Sequence, residues 1–114
     1  MNPETILQTA IRQALGLDRD LTMWRNNVGQ VRTGHGSYVR YGLAVGSSDL
    51  IGILAPSGRF IALEVKTQNG RLDQEQRLYL ELVRSRGGFA TVVRSVADAM
   101  AAIDRARGGA RWCR

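Results

Sequence analysis

The chain has 114 residues, of which 44% are hydrophobic and 23% charged, as expected for one globular domain with a single core. No apolar run is long enough for a membrane span, no signal peptide begins the chain, and one cysteine excludes an intrachain disulfide, so we expect a cytoplasmic protein. The net charge of +6 favours a polyanionic partner, with nucleic acid the leading candidate.

The first predicted element is a helix that begins after Asn2 and ends at Gly16. Asparagine is a good N-cap, Pro3 is favoured at the first helical position, and Glu4 is favourable charge in the first turn. Glu4 also lies on the same helical stripe as the apolar residues at 7, 11 and 15. We therefore expect its carboxylate to point towards the core side of the helix, although a purely capping role would explain it equally well.

A first strand is expected within residues 21–33, and the glycine-rich residues 34–48 are expected to form a loop. A loop of that length in a compact domain indicates either a function or disorder. In a protein that binds nucleic acid, the loop would border the groove that holds the strand. Arg25, Arg32 and Arg40 are then candidates for contacts with phosphates, which position a nucleic acid without reading its sequence.

The central prediction is a hairpin made of two apolar strands, residues 50–54 and 60–65. They are joined by residues 55–59, which contain the proline and the glycine that are typical of a tight turn. If this turn is centred between its second and third residues, Asp49 pairs directly with Glu64. Directly paired residues share a face of the sheet, so the two carboxylates should lie side by side.

A metal site follows from that pairing. Two carboxylates on buried-type strands repel each other, and a cation that prefers oxygen ligands, Mg²⁺ or Mn²⁺, would remove the repulsion. Lys66 shares their face and is the one lysine among the 16 basic residues of the chain. Because lysine, unlike arginine, has a movable pKa, its place here favours chemistry. The alternative is that Glu64 and Lys66 are ordinary exposed charges on an edge hairpin.

The second half of the chain predicts a helix, a strand and a helix. Asp73 and Gln76 have the spacing of a capping box at the start of the first helix. The strand within residues 89–94 follows a helical crossover and should therefore run parallel to its neighbour. The predicted order α-β-β-β-α-β-α gives an α/β fold with a mixed sheet flanked by helices, in a domain of residues 1–109 with a basic tail at 110–114.

The chain resembles the VRR-NUC family, of the stand-alone phage or bacterial type, within the PD-(D/E)-x-K nuclease superfamily. The features that carry the resemblance are Glu4, Gly46-x-x-Asp49-Leu50, Glu64-x-Lys66, Gln74-x-Gln76 and Gly87-Gly88 before a strand. They cover about residues 2–104. The chain departs from the superfamily at Ser48, where proline is common before the aspartate.

The resemblance implies a restriction-endonuclease-like core and a metal-dependent DNA endonuclease that acts as a homodimer on branched DNA such as four-way junctions. The implied catalytic residues are Asp49, Glu64, Lys66 and Gln76; the implied metal ligands are Glu4, Asp49, Glu64 and the carbonyl of Val65; the DNA-binding candidates are Arg25, Arg32, Arg40 and Arg71. Two alternatives stay open: a nuclease specific for flaps or single strands, and a nucleic-acid-binding module of the same fold without turnover.

Overall fold

The computed structural model describes residues 2–26, 29–32, 38–41 and 48–111. Across these ranges the chain forms α-helices and β-strands in the order α, five strands, α, strand, α. Their bounds are α1 Pro3–Leu15, β1 Leu21–Arg25, β2 Gly29–Arg32, β3 Tyr38–Tyr41, β4 Leu50–Leu54, β5 Arg59–Val65, α2 Gln74–Ser85, β6 Phe89–Val93 and α3 Val96–Arg107.

The main sheet has four strands in the order β1-β4-β5-β6. The central strand β4 is antiparallel to both β1 and β5, whereas β6 is parallel to β5, as predicted for a strand that follows a helical crossover. In the hairpin of β4 and β5, Leu50 pairs with Leu63 and Leu54 pairs with Arg59, which confirms the predicted centre of the turn. The predicted mixed α/β sheet with flanking helices is thereby confirmed.

The two faces of the sheet carry separate apolar clusters. On one face, Leu50, Leu63 and Val65 pack with residues of α1 and α3. On the other face, Ile51 and Ala62 pack against α2. Because side chains alternate along a strand, Glu64 of β5 and Lys66, which directly follows β5, belong to the same face as Ala62, the face of α2. The side chains of Glu64 and Lys66 therefore lie on the side of the sheet that α2 covers.

The sequence prediction was wrong in the segment between β1 and β4. The first strand does lie within residues 21–33, since β1 spans Leu21–Arg25, but the second strand, β2 at Gly29–Arg32, was not predicted. The predicted loop 34–48 contains β3, which pairs with β2 in a separate two-stranded sheet. Tyrosine and valine, which make up three of the four residues of 38–41, have a high strand propensity, and this segment pairs with β2 along its whole length.

The start of α1 agrees with the predicted cap, and the start of α3 is capped by a serine in the same way. Asn2 accepts a hydrogen bond from the Thr5 backbone N–H at 2.8 Å, and Ser95 accepts one from the N–H of Asp98 at 3.0 Å. After α3, Ala110 packs against the core and the carbonyl of Arg111 accepts from the N–H of Ala90 at 3.0 Å. The start of the predicted tail thus lies against β6. In the described part of the chain, no helix is long and apolar enough to cross a membrane.

Candidate metal centre

Four of the predicted site residues meet at one end of the main sheet. Asp49 directly precedes β4, Glu64 lies at the end of β5, Lys66 follows that strand, and Gln76 is in the first turn of α2. The start of β4 lies beside the end of β5, because the register in which Leu50 pairs with Leu63 continues to residues 49 and 64. The acidic pair that the sequence predicted is therefore brought together by the main sheet.

Asp49 is held by backbone contacts on both sides. Its carboxylate Oδ2 accepts a hydrogen bond from the N–H of Val65 at 2.9 Å, and its carbonyl accepts one from the N–H of Asn26 at 2.8 Å. The Asn26 side-chain amide also donates to the carbonyl of Ser48 at 3.1 Å. Asn26 thus holds the backbone of Ser48 and Asp49 in place. Sequence reasoning missed this role because it depends on the pairing of β1 with β4.

Glu64 is almost completely buried, with 1% of its surface exposed. Its Oε1 accepts a hydrogen bond from Gln76 Nε2 at 2.9 Å and lies 3.9 Å from Lys66 Nζ. Its buried Oε2 accepts a hydrogen bond from no donor among the described residues, and the carboxyl of Asp49 lies within hydrogen-bonding reach of the Glu64 carboxyl. Burial, followed by the nearby carboxyl of Asp49, raises the pKa of Glu64 to about 9, with Lys66 acting in the opposite direction and Glu4 in the same one.

Gln76 connects the acidic pair to the start of α2. Its side-chain Oε1 accepts from the N–H of Asp73 at 3.0 Å, while the Asp73 carboxylate accepts from the N–H of Gln76 at 2.7 Å. This is the predicted capping box, and the same side chain uses its amide nitrogen to reach Glu64. One residue therefore fixes both the position of the helix and the orientation of the buried carboxylate.

Glu4 approaches the site from a neighbouring cavity. A cavity of about 460 Å³ is lined by residues of the α1 N-terminus, Glu4 among them, and by the loop residues 67–69. The negative charge of Glu4 contributes to the raised pKa of Glu64. Within the described ranges, however, no three histidine, cysteine or acidic residues come close enough together to hold a metal ion. The core of the candidate site is the pair of Asp49 and Glu64, and Glu4 lies outside that pair.

The pair fits a divalent cation. Glu64 offers a buried carboxylate oxygen that meets no protein donor within the described ranges, and Asp49 adds a second carboxylate. A buried anionic oxygen without a partner is costly, so its presence calls for either a proton or a cation. Hard oxygen donors of this kind are the ligands that Mg²⁺ and Mn²⁺ prefer.

The predicted DNA-binding arginines are placed only in part. Arg25 ends β1 beside the start of β4, and Arg71 lies in the loop before α2; both are exposed. The backbones of Arg32 and Arg40 belong to β2 and β3, but their side chains lie outside the described part of the structure. No contact in the described residues joins these four arginines into one surface, so their role stays a prediction.

Comparisons with known proteins agree with the fold. The sequence model of the family described as the VRR-NUC domain matches residues 2–97 of this chain. A solved structure described as a VRR_NUC domain superimposes with a TM-score of 0.58 and 25% identity, covering 91% of this chain and 97% of that chain. Among curated proteins, none matches the chain in sequence.

Proposed function

The chain belongs to the VRR-NUC family of nuclease domains, and we propose that it is a Mg²⁺- or Mn²⁺-dependent endonuclease that hydrolyses phosphodiester bonds in branched DNA. The family supports a nuclease role with DNA as the substrate. The observation that supports metal dependence is the buried Oε2 of Glu64, which accepts from no donor among the described residues and lies in the same site as the carboxyl of Asp49.

The proposed metal ligands are Asp49, Glu64 and the carbonyl of Val65, with Glu4 reaching the ion through water. A divalent ion held there would lower the pKa of a water molecule and neutralise the charge that builds up on the phosphate oxygens during hydrolysis. The protein residues have separate tasks. Asp49 is oriented by the N–H of Val65, and Gln76 holds one oxygen of Glu64 so that the other faces the site.

Lys66 is the proposed catalytic cation. Its side chain is 13% exposed, and its ammonium lies 3.9 Å from Glu64 Oε1, so it is placed at the edge of the acidic pair rather than in bulk solvent. From that position it can orient the attacking water, accept a proton from it or stabilise the charge of the transition state. Exposed arginines such as Arg25 and Arg71 would hold the DNA backbone, with an affinity that falls steeply with salt.

A homodimer is the proposed form that acts on four-way junctions. Exposed apolar side chains on the α2 side of the sheet support it: Trp24 is 43% and Ile53 45% exposed, and on α2 itself Leu78 is 54% and Leu82 47% exposed. Trp24 pairs with Ile51, and Ile53 lies two residues further along β4, which places both on the face of α2. A two-fold dimer would present two active sites to symmetric strands of a junction.

The proposed function is tested by cleavage of labelled four-way junctions, flaps, single strands and linear duplex DNA with Mg²⁺ or Mn²⁺. Symmetric nicks in junctions that disappear in Lys66→Ala and Asp49→Ala would support it. Cutting of flaps or single strands alone would support the proposed active site but would show that the substrate is not a four-way junction. Metal-independent binding of DNA without cleavage of any substrate would instead favour the alternative of a binding module without turnover.

A further inference from the structure

The chain that follows Lys66 turns back against the side chain of Lys66. The backbone N–H of Gly70 donates to the carbonyl of Thr67 at 3.0 Å and closes this turn. A β-carbon added to Gly70 would lie 3.3 Å from Cβ and 3.4 Å from Cδ of Lys66, tighter than most real contacts. The aliphatic stem of the lysine therefore rests on the backbone of Gly70, and glycine is the residue that leaves room for it.

Arg94 holds that turn from the other side. Its Nη1 lies 2.7 Å from the carbonyl oxygen of Thr67 and 2.6 Å from that of Gly70, with the carbonyl of Gln68 at 3.4 Å. A guanidinium is a planar, permanently charged donor, so it can draw several carbonyl oxygens together in one geometry. The three carbonyls that it gathers all belong to the turn that supports Lys66.

Arg94 is itself fixed by two elements of the core. It directly follows β6, whose last residue, Val93, accepts a hydrogen bond from the backbone N–H of Lys66 at 3.1 Å. Its own N–H donates to Asp98 Oδ2 in the first turn of α3 at 3.0 Å. The backbone of Lys66 and the backbone of Arg94 are thus anchored to the same strand, and only the turn between them needs a further support.

We propose that Arg94 is a positioning residue for Lys66. By gathering the carbonyls of Thr67 and Gly70, it fixes the surface on which the lysine stem rests and so keeps the ammonium at the acidic pair. The catalytic consequence rests on the proposed nuclease function, in which Lys66 is the reacting cation. The structural consequence, a lysine held in one position, does not depend on that function.

Because Lys66 is the one lysine of the chain, an amine-reactive acylating reagent followed by peptide mapping reports on its side chain alone, apart from the N-terminal amine. The test variant is Arg94→Gln, which keeps one amide donor and adds no lysine. The matched control is Arg59→Gln, because Arg59 also gathers two carbonyls, those of Gly87 at 3.2 Å and Ala106 at 2.7 Å, but does so away from the acidic pair.

We expect Arg94→Gln to raise the acylation rate of Lys66 several-fold and to lower the single-turnover cleavage rate, at saturating DNA and metal, about ten-fold or more, because a misplaced reacting group loses its alignment. Metal affinity measured by calorimetry should stay close to that of the unmodified protein. Arg59→Gln should lower the melting temperature without either effect. If Arg94→Gln does not fold, Gly70→Ala is the second test variant, because its added β-carbon presses on the aliphatic stem of Lys66. We expect Gly70→Ala to fold and to change both the acylation rate of Lys66 and the rate of DNA cleavage.

An unchanged acylation rate in Arg94→Gln, or in Gly70→Ala where that variant is used, would overturn the proposal whatever happens to cleavage. A raised acylation rate with a wild-type cleavage rate would overturn its catalytic part. If the unmodified protein cleaves no DNA, the proposed nuclease function fails on its own, and acylation still decides whether Arg94 positions Lys66.

Discussion

Gln76 and Glu64 are joined by a hydrogen bond of 2.9 Å between the side-chain amide nitrogen and a buried carboxylate oxygen. The other end of the same amide accepts the N–H of Asp73 in the capping box of α2. The position of a helix and the orientation of a candidate metal ligand therefore depend on one side chain. This coupling makes it possible to separate the two roles by mutation.

We predict that Gln76→Ala lowers both the free energy of unfolding, by about 1–2 kcal/mol for the lost cap, and the cleavage rate. Asp73→Ala removes the capping carboxylate but leaves the bond from Gln76 to Glu64, so it should lower stability by about 1 kcal/mol with cleavage nearly unchanged. Urea unfolding and cleavage assays on both variants check this. Equal losses of activity in the two variants would show that Gln76 acts only through the helix cap.

A second prediction concerns the stability of the metal-free protein as a function of pH. The folded protein keeps a proton on Glu64 up to a pKa of about 9, whereas the pKa of a free glutamate side chain is 4.5. Between these values unfolding releases a proton, so the free energy of unfolding should fall as the pH rises through this window. Glu64→Gln removes the titrating group and should flatten the dependence.

Metal ions should reverse this trend. Metal ligands must be deprotonated, so the increase in melting temperature caused by Mg²⁺ or Mn²⁺ should grow with pH over the same window. Thermal unfolding at several pH values, with the metal and with a chelator, measures both effects. A metal-free stability that rises with pH in the unmodified protein, but not in Glu64→Gln, would contradict the raised pKa.

The hairpin that carries the acidic pair could be predicted from the sequence because its information is local. A turn with a proline and a glycine, and apolar residues on both sides, set the register that places Asp49 opposite Glu64. The contacts of Asn26 and Arg94 could not be predicted, because each joins segments more than 20 residues apart. The β2–β3 hairpin was missed for a different reason: glycines on either side of a short strand are typical of a loop.

Ser48 offers a prediction about stability. Its side chain is 1% exposed, and its hydroxyl has no hydrogen-bond partner among the described residues, whereas its carbonyl is held by Asn26. A buried hydroxyl without a partner destabilises the folded state, so Ser48→Ala should raise the free energy of unfolding by up to about 1 kcal/mol. Metal binding should not change, because the Asp49 carboxylate is oriented by the backbone N–H of Val65 and not by the Ser48 hydroxyl. Denaturant unfolding that shows a clear loss of stability would mean that the hydroxyl has a partner in solution.

The last prediction tests the proposed dimer. Leu82 lies on α2 and is 47% exposed, and Ile53 on β4 is 45% exposed on the same side of the sheet, so a second copy that covers this side would bury both. Leu82→Glu should then shift sedimentation from dimer to monomer, since a buried unpaired charge is costly, while the acidic pair stays intact. Leu17→Glu is the matched control: Leu17 is 85% exposed and follows α1, whose buried residues pack on the opposite face of the sheet.

If Leu82→Glu sediments like the unmodified protein and cuts junctions symmetrically, this surface is not the interface. If it becomes monomeric, binds Mn²⁺ normally and cuts junctions on one strand only, the two-fold arrangement of active sites is what makes the cleavage symmetric.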